Sequence, residues 1–432
     1  MLLGLSLGAI AAMSIVVNFA YQWYVLTTIG PGPATDALFA GTMVPQLVLV
    51  IASGSLNYVL IPLLAVQEPE GRTQLAWTYF QGIGLACLGL VALLMLTAAL
   101  WVPVTVPGFT PANVELAIHL TRVQLLATAF TAVTGVEVAL HHAKQHFLRA
   151  ESAGVVASVV GLAFIVWGLP RMGIEAAAWG TVLRAAVQML LLTAGMGSYR
   201  GPHWGDPGLA LGLRRSAPLI GGQLYFKSDA MFDRFLASLA PPGALSLYHV
   251  AQQLYSSAAM VLNRAVVAPV VPRLSRLASG NGWTEFVGEV NRRLVVMLGV
   301  ALAITAGLAL LGRPVLGLIF GRGEFTPDRV AHLWWLLLLL SGVWIGGALG
   351  QILSTSFYAQ GDTRTPTRVG IIGFTLAIGL KLVAFRGYGI EGLSVAASAY
   401  YLLNAGALFV LLRRRARRVI ALTLPLEGLA RP

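Results

Sequence analysis

Residues 82–101 read GIGLACLGLVALLMLTAALW, twenty consecutive positions without a charged side chain. At about 1.5 Å per residue, a helix of that length covers about 30 Å, the thickness of a bilayer's hydrocarbon core. Comparable apolar runs recur near 3–28, 37–65, 76–102, 114–140, 153–169, 176–197, 217–239, 247–271, 294–311, 331–357, 369–385 and 392–412. One run could be the core helix of a soluble protein; recurrence along the whole chain excludes that. Composition agrees: 57% of residues are hydrophobic and 11% charged, against about 25% charged in soluble domains. So few charges cannot clothe a water-exposed surface of 432 residues, so lipid must solvate much of the exterior. The fold class expected is all-α, a polytopic membrane protein of about 12 transmembrane helices.

Several function classes fall away. The single cysteine, Cys87, cannot form a disulfide within the chain, and its apolar run makes it a small buried hydrophobe. No His/Cys grouping has metal-ligand spacing, so neither metal nor other cofactor is expected. Residues 1–29 are too long an apolar run for a cleaved signal and lack an A-x-A-like exit, so they read as a retained span. The net charge of +12 would suggest nucleic acid in a soluble chain, but here the cations crowd into short loops and report membrane orientation instead. With a cytoplasmic N-terminus, the inner loops and tail hold 17 cations: Arg72, Lys144, Arg149, Arg200, Arg214, Arg215, Arg273, Arg276, Arg292, Arg293, Arg364, Arg368, Arg413, Arg414, Arg415, Arg417 and Arg418. The outer loops hold 5: Arg171, Arg313, Arg322, Arg329 and Arg386. Both termini are therefore expected in the cytoplasm. The RRRARR run at 413–418 reads as a stop-transfer cluster beside anionic inner-leaflet lipid.

Two inner loops are long. The stretch 198–216 falls between the sixth and seventh runs and reads as a linker, and 273–293 has charges spaced as on a surface-lying amphipathic helix. The expected organisation is an N-terminal six-helix lobe at 1–197, the linker at 198–216, a C-terminal six-helix lobe at 217–412 and a basic tail at 413–432. A faint repeat supports two halves. A shift of 210 overlays Leu26 on Leu236, Pro31 on Pro241, Ala34 on Ala244, Pro62 on Pro272 and Leu64 on Leu274. Transporters built from two such halves hold substrate between them.

Charges at bilayer depth cost a few kcal/mol each, so they need a purpose. Arg122 and Glu137 fall in the fourth run, Arg184 in the sixth, Arg264 in the eighth and Lys381 in the eleventh. The seventh, GGQLYFKSDAMFDRFLASL at 221–239, is densest. Asp229 and Asp233 are four apart and share a helix face. They, with Glu137, are candidates for carrying a coupling ion, Na+ or H+. Lys227, Arg234 and Arg264 are candidates for holding an anionic headgroup. The alternative is an internal salt-bridge network that only fixes packing. Arg122, Arg184 and Lys381 could instead snorkel to an interface. Polar residues of the first run (Asn18, Tyr21, Gln22, Tyr24) and of the eighth (Gln252, Gln253, Tyr255) suit a wet cavity or interhelical hydrogen bonds. Trp334 and Trp335 fit an outer aromatic belt. Pro45 and Pro269 interrupt the second and eighth runs. The outer loops offer only Glu324 and Asp328 beside Arg322 and Arg329, too little for an enzyme's active site.

An ordered series of motifs carries a resemblance: ATDALFAGTMVP at 34–45, SLNYVLIPLLA at 55–65, VPGF at 106–109, DRFLASLAPPGALSLYHVAQQL at 233–254, VVPRLSR at 270–276, IFGRGEFT at 319–326 and FYAQGDTRTPTRVGI at 357–371. Together they resemble the MurJ/MviN family of lipid II flippases, within the multidrug/oligosaccharidyl-lipid/polysaccharide exporter superfamily. The resemblance implies two six-helix lobes in a V around a cationic cavity in a bacterial inner membrane. It also implies a polyprenyl-diphosphate-linked saccharide, a peptidoglycan precursor, moved from the inner to the outer leaflet by a chain acting as a monomer. Typical members have fourteen spans, the last two forming a groove for the lipid tail, and this chain ends soon after its twelfth. The family's span 1 arginines fall on Ile15 and Tyr21, the span 2 arginine near Leu49 or Val50, and the span 8 arginine near Gln253. The ATDA aspartate is kept as Asp36. Asp36, Tyr21 and Gln253 thus join Lys227, Arg234 and Arg264 as substrate-binding candidates. A flippase for an exopolysaccharide or O-antigen unit, or a cation-coupled exporter of small amphiphiles, is the alternative.

Overall fold

The computed structural model describes residues 2–49, 56–262, 271–279 and 283–427. Side chains at 2–5, 11, 56–58, 217–224, 226–227, 260–262, 271–272, 279 and 418–427 lie outside the description. All regular structure among the described residues is helical: α1 Leu2–Ile29, α2 Pro33–Gly41, α3 Met43–Leu49, α4 Leu56–Ala65, α5 Pro69–Leu96, α6 Ala98–Thr105, α7 Pro111–Ala143, α8 Phe147–Met172, α9 Glu175–Thr193, α10 Pro207–Ser238, α11 Ala244–Leu262, α12 Val271–Ser279, α13 Trp283–Phe320, α14 Pro327–Leu339, α15 Ser341–Ala359 and α16 Arg364–Glu427. Five of these (α2, α5, α7, α10 and α14) begin on proline. Its fixed φ suits the first turn, where the missing N–H costs nothing. Thr110 and Asp206 cap α7 and α10 by accepting the amides of Asn113 and Gly208.

Eight helical stretches among the described residues are long and apolar enough to cross a membrane. One of them, Arg364–Arg417, is 54 residues long, about 80 Å if straight, and so must contain two spans. It reverses at Gly389, whose φ of 58° and ψ of −136° are non-helical. With α16 counted as two, each of the twelve expected runs has its helix. The second run falls short as a single stretch because it breaks between α2 and α3, and residues 50–55 within it lie outside the described residues. The seventh falls short because α10 carries charge at 227, 229, 233 and 234. Large apolar side chains face outward: Leu85, Leu88, Leu93, Leu96 and Leu100 line one side of α5 and α6, with Leu96 80% exposed. Such a stripe is stable only with lipid as its solvent.

Packing divides the chain into two compact units, Met1–Ser246 with Arg322–Phe325, and Leu247–Gly321 with Thr326–Pro432. The first unit is organised around α7, which packs on α9, α5, α4 and α2, while α1 packs on α8. Its core holds Leu60, Leu64, Leu75, Tyr79, Val136, Leu140 and Met196. The helix α10 also belongs here, lying against α4, α3 and α5. It starts inside the stretch read as a linker, so residues 207–216 are its first turns. The Tyr79 hydroxyl donates to the Gly208 carbonyl at 2.8 Å, and the Trp77 indole to that of Ser198 at 3.0 Å, tying the connection to α5. Chain order and packing therefore divide the molecule at different points.

In the second unit α15 packs on α16 and α13. Two glycines one turn apart make the first contact close. A methyl group at Gly342 would sit 2.6 Å from the Ser398 Cβ, and one at Gly346 would sit 2.4 Å from the Tyr401 carbonyl carbon. This is the small-residue spacing that lets membrane helices approach backbone to backbone. The stretch 273–293, expected as one surface-lying helix, differs in the structure. Its first part is α12, and residues 283–293 are the opening turns of α13. Glu289 on that extension is buried and meets Arg293 at 2.9 Å, Arg292 at 3.4 Å and Arg273 at 3.5 Å. The charges that suggested a free amphipathic surface are thus drawn onto one carboxylate. Trp334 turns its indole N–H to the Leu308 carbonyl at 2.8 Å, leaving Trp335 as the exposed member of the pair.

Candidate functional site

The charged face of α10 lies in the first unit. Asp233 and Arg234 are buried, at 2% and 6% exposure, and Asp229 is half-buried. Arg234 reaches the break between α2 and α3. Its Nη1 donates to Thr42 Oγ1 at 2.8 Å and its Nη2 to Gln46 Oε1 at 3.2 Å. The break follows from Pro45. Proline has no N–H to donate to the Gly41 carbonyl four residues back, so the ladder cannot run through. The Thr42 hydroxyl turns inward to the Phe39 carbonyl at 2.7 Å and also receives the guanidinium. Lys227 lies on the same helix, with its side chain outside the described atoms, and Arg264 lies outside the described residues.

Asp36 is buried in α2, and each of its oxygens accepts a backbone amide: Oδ2 from Gly243 at 2.6 Å and Oδ1 from Ser246 at 2.7 Å. These amides belong to the Pro-Pro-Gly turn and first turn of α11. Gly243 adopts φ +92°, where a side chain would be strained, and a methyl there would lie 3.1 Å from the Pro31 carbonyl oxygen. Asp36 and Ser246 are separated by 210 positions, the shift of the internal repeat.

The polar residues of α1 make helix-to-helix bonds. The Tyr21 hydroxyl donates to the Ala177 carbonyl of α9. Arg184 of α9 donates to Asn18 Oδ1 at 3.0 Å. Gly180 leaves room for the Tyr21 ring, since a methyl there would lie 3.2 Å from its hydroxyl. Arg122 is held to the Met95 carbonyl at 3.1 Å, and Lys381 is fully buried in α16. Glu137, also fully buried, accepts the Thr193 hydroxyl at Oε1, and its Oε2 has no partner among the described residues. In the second unit, Gln253 is half-buried on α11.

Two features were not anticipated. Asp362 of the GDTRTP motif accepts the Thr365 amide at 3.0 Å and hydroxyl at 2.8 Å, and receives Arg415 Nη1 at 2.7 Å. The Thr365 amide is the main reason its carboxyl stays below the ordinary range. Burial pulls the other way, and the Thr365 hydroxyl and Arg415 add to the depression. Second, a groove of about 480 Å³ runs along α13, α15 and α16, lined by Leu294, Leu298, Leu353, Leu402 and Phe409. Its polar lining groups are Asn291 and Arg413, the latter also lying over the Phe409 ring at 5.1 Å.

Residues 25–427 match the family model described as lipid II flippase MurJ. The chain belongs to the MurJ family. Among its relatives, the probable lipid II flippase MurJ of Vibrio cholerae is 26% identical over 438 residues, covering 94% of this chain and 81% of that one. The lipid II flippase MurJ of Burkholderia cenocepacia is 22% identical, covering 95% of this chain and 83% of its own length. Solved structures agree on the fold. A lipid II flippase MurJ in an inward closed conformation superposes with a TM-score of 0.81 at 16% identity, over 94% of this chain and 87% of that one. An inward-facing multidrug resistance transporter of the MATE family gives 0.78 at 17% identity, over 94% and 96%. The shared architecture of MurJ and MATE proteins bears out the all-α polytopic membrane fold.

Of the site residues expected from sequence, Asp229, Asp233 and Arg234 are brought together on α10. Asp36, Tyr21 and Glu137 stand at separate places in the first unit. Thr42, Gln46 and Thr193 were missed as their partners. The signal for Thr42 was present as a hydroxyl three residues before a proline inside an apolar run.

Proposed function

We propose that this chain is a lipid II flippase, moving the polyprenyl-diphosphate-linked peptidoglycan precursor from the inner to the outer leaflet of a bacterial inner membrane by alternating access. The observation that carries this reading is the family match, which runs from the end of α1 to the end of α16. The chain acts as a transporter rather than an enzyme, with both termini cytoplasmic, and works as a monomer. Lys227, Arg234 and Arg264 attract the diphosphate, Asp36 and Tyr21 contribute through the elements they join, and half-buried Gln253 contributes from α11. Arg234 suits the role because a diphosphate oxygen would be a stronger acceptor than Thr42 or Gln46. The apolar groove with Arg413 on its lining has the chemistry to take a hydrocarbon chain bearing an anionic group.

The coupling ion is the second part of the proposal. Asp229 and Asp233 are one turn apart beside a bound anion's site, and either Na+ or H+ could serve them. Glu137 is suited to H+, since Na+ needs several oxygen ligands and the carboxyl has only the Thr193 hydroxyl among the described residues. The test is flipping of fluorescent lipid II in reconstituted vesicles by wild type and the Lys227→Ala/Arg234→Ala double variant. The variant should fold, as judged by its elution and helicity, and flip at under a tenth of the wild-type rate. Undiminished flipping by the double variant would overturn the residue assignment. Failure of the wild type on lipid II, with activity on an exopolysaccharide intermediate, would overturn the substrate.

A further inference from the structure

The groove along α13, α15 and the second half of α16 lies wholly within the second unit. Successive spans cross in alternate senses, so α13 and the second half of α16 run opposite ways. Asn291, nearest the start of α13 among the lining residues, and Arg413, nearest the end of α16, therefore share one end. From Arg413 to Leu402 the lining runs about 16 Å along the helix. That is about the depth of one leaflet's hydrocarbon, half of a bilayer core. Beyond the polar end the wall is apolar, with Leu294, Leu298, Leu353, Leu402 and Phe409 along it. Polar groups at one end and a leaflet's depth of apolar wall give the groove the polarity of a lipid.

The polar end also carries an excess of positive charge. Arg413 is exposed, lies over the Phe409 ring at 5.1 Å, and has no carboxylate partner among the described residues. Next to Asn291 in the chain, Arg292 and Arg293 share the Glu289 carboxylate with Arg273. Three guanidiniums on one carboxylate leave a positive surplus. Arg414 and Arg417, both exposed, stand within about one turn of Arg413.

The first unit shows the corresponding place covered by the chain itself. The repeat shift of 210 sets Asn291 on Gln81 of α5. The Gln81 amide donates to the Arg200 carbonyl at 3.2 Å, and Trp204 packs on Gly82, where a methyl would sit 3.2 Å from its ring. Residues 198–206 thus fold back over α5 after α9 ends. In the second unit α16 instead continues as helix past Arg413 to Glu427. Among the described residues Asn291 makes no side-chain hydrogen bond and no segment crosses the groove.

We propose that this groove holds one acyl chain of an anionic phospholipid of the membrane, with the lipid phosphate set against Arg413 and the Asn291 amide. A phosphate diester presents one negative charge beside its acyl chains, which suits a guanidinium and an amide at the end of an apolar channel. The lipid is a resident of the protein, distinct from the lipid that is moved, and the site uses no residue of α10. Its assignment to the inner leaflet rests on the topology proposed above, whereas the binding itself does not.

The test uses the full chain in detergent without lipid II, so its result is independent of the flipping assay. The readout is the thermal unfolding midpoint, which a ligand that binds only the folded state raises. The probes are phosphatidylglycerol, phosphatidylcholine with the same acyl chains, and inorganic phosphate at matched ionic strength. Phosphatidylglycerol should bind wild type about tenfold more tightly than phosphatidylcholine, whose choline offsets its phosphate. Arg413→Gln should erase that preference, and because the side chain is exposed the variant should fold. Gly406 lines the groove with open space around it, so Gly406→Leu should fill it without a clash. That variant should bind both lipids about tenfold more weakly, the loss of roughly two buried methylenes. Gly379→Leu, equally open on the first half of α16, should respond like wild type. Equal binding of the two lipids, an unchanged preference in Arg413→Gln, or undiminished binding by Gly406→Leu overturns the proposal. So does inorganic phosphate acting as strongly as phosphatidylglycerol, which would mark a free-anion site. Preferential displacement by a polyprenyl phosphate, or a wild-type dimer that Gly406→Leu dissociates, would assign the groove to the substrate or to a second copy and overturn it equally.

Discussion

Replacing Asp36 with alanine removes both acceptors of the turn that starts α11. The carboxylate holds the Gly243 amide at 2.6 Å and the Ser246 amide at 2.7 Å, both in a buried setting. A hydrogen bond to a charged group is worth about 1.5–3 kcal/mol, and loss of a helix cap alone costs about 0.5–2 kcal/mol. The two bonds share one carboxylate and are not additive, so the expected loss is about 3 kcal/mol for Asp36→Ala. Asp36→Asn keeps one carbonyl oxygen and should lose about half of that. The assay is unfolding in detergent followed by tryptophan fluorescence, with vesicle flipping measured in parallel. Loss of flipping in proportion to loss of folded protein fits a residue that joins two helices. An Ala variant that unfolds within about 0.5 kcal/mol of wild type would refute the capping argument, because that is the scatter of an ordinary surface substitution. Normal stability with abolished flipping would instead assign Asp36 to the substrate directly.

Asp362→Asn should keep the helix cap but lose the charge facing Arg415, costing about 1 kcal/mol at neutral pH. The wild-type carboxyl titrates below its ordinary value, so its contribution is present above the unfolded carboxylate pKa and is lost as pH falls through the depressed one. The stability gap between wild type and variant should therefore close on acidification; a gap that persists in strong acid would contradict this. Gly346→Ala drives a methyl into the backbone at Tyr401 and Leu402 and should cost about 2 kcal/mol or more, whereas Gly350→Ala, with open space around it, should be close to neutral. Equal unfolding midpoints for the two glycine variants would remove the case for a close α15–α16 approach.

Hydropathy made the spans legible because lipid imposes a length and a composition on each of them. The reversal within α16 and the break at Pro45 were also visible, as loop and proline. The start of α10 was not recognised, although Asp206 and Pro207 are a cap and a first-turn residue. The arginines at 214 and 215 made that stretch look like a loop, yet a helix can carry them where it leaves the bilayer. Residues 283–293 were misread for the same reason, since they open α13, and Glu289 among them is buried against Arg293, Arg292 and Arg273. The α10 charges could be placed on one face by spacing alone. Their partners could not, because Thr42 lies 192 positions from Arg234 and Ser246 lies 210 from Asp36. Nothing local in the sequence encodes such distances, although the repeat shift gave the second one in outline. Tyr21, for which the sequence left a wet cavity and an interhelical hydrogen bond both open, donates to the Ala177 carbonyl of α9.

The bond between Asp362 and Arg415 has a bearing on how the chain is made. It joins a residue two positions before α16 begins to one in its second half, across a reversal at Gly389. Arg415 leaves the ribosome some fifty residues after Asp362, and the two can meet only if both flanking segments have threaded the membrane in opposite senses. If the second segment of the pair were left unthreaded, Arg415 and Asp362 would lie on opposite sides of the membrane and could not meet. The clasp can therefore close only once both crossings of the pair are in place, whatever the order in which they were laid down.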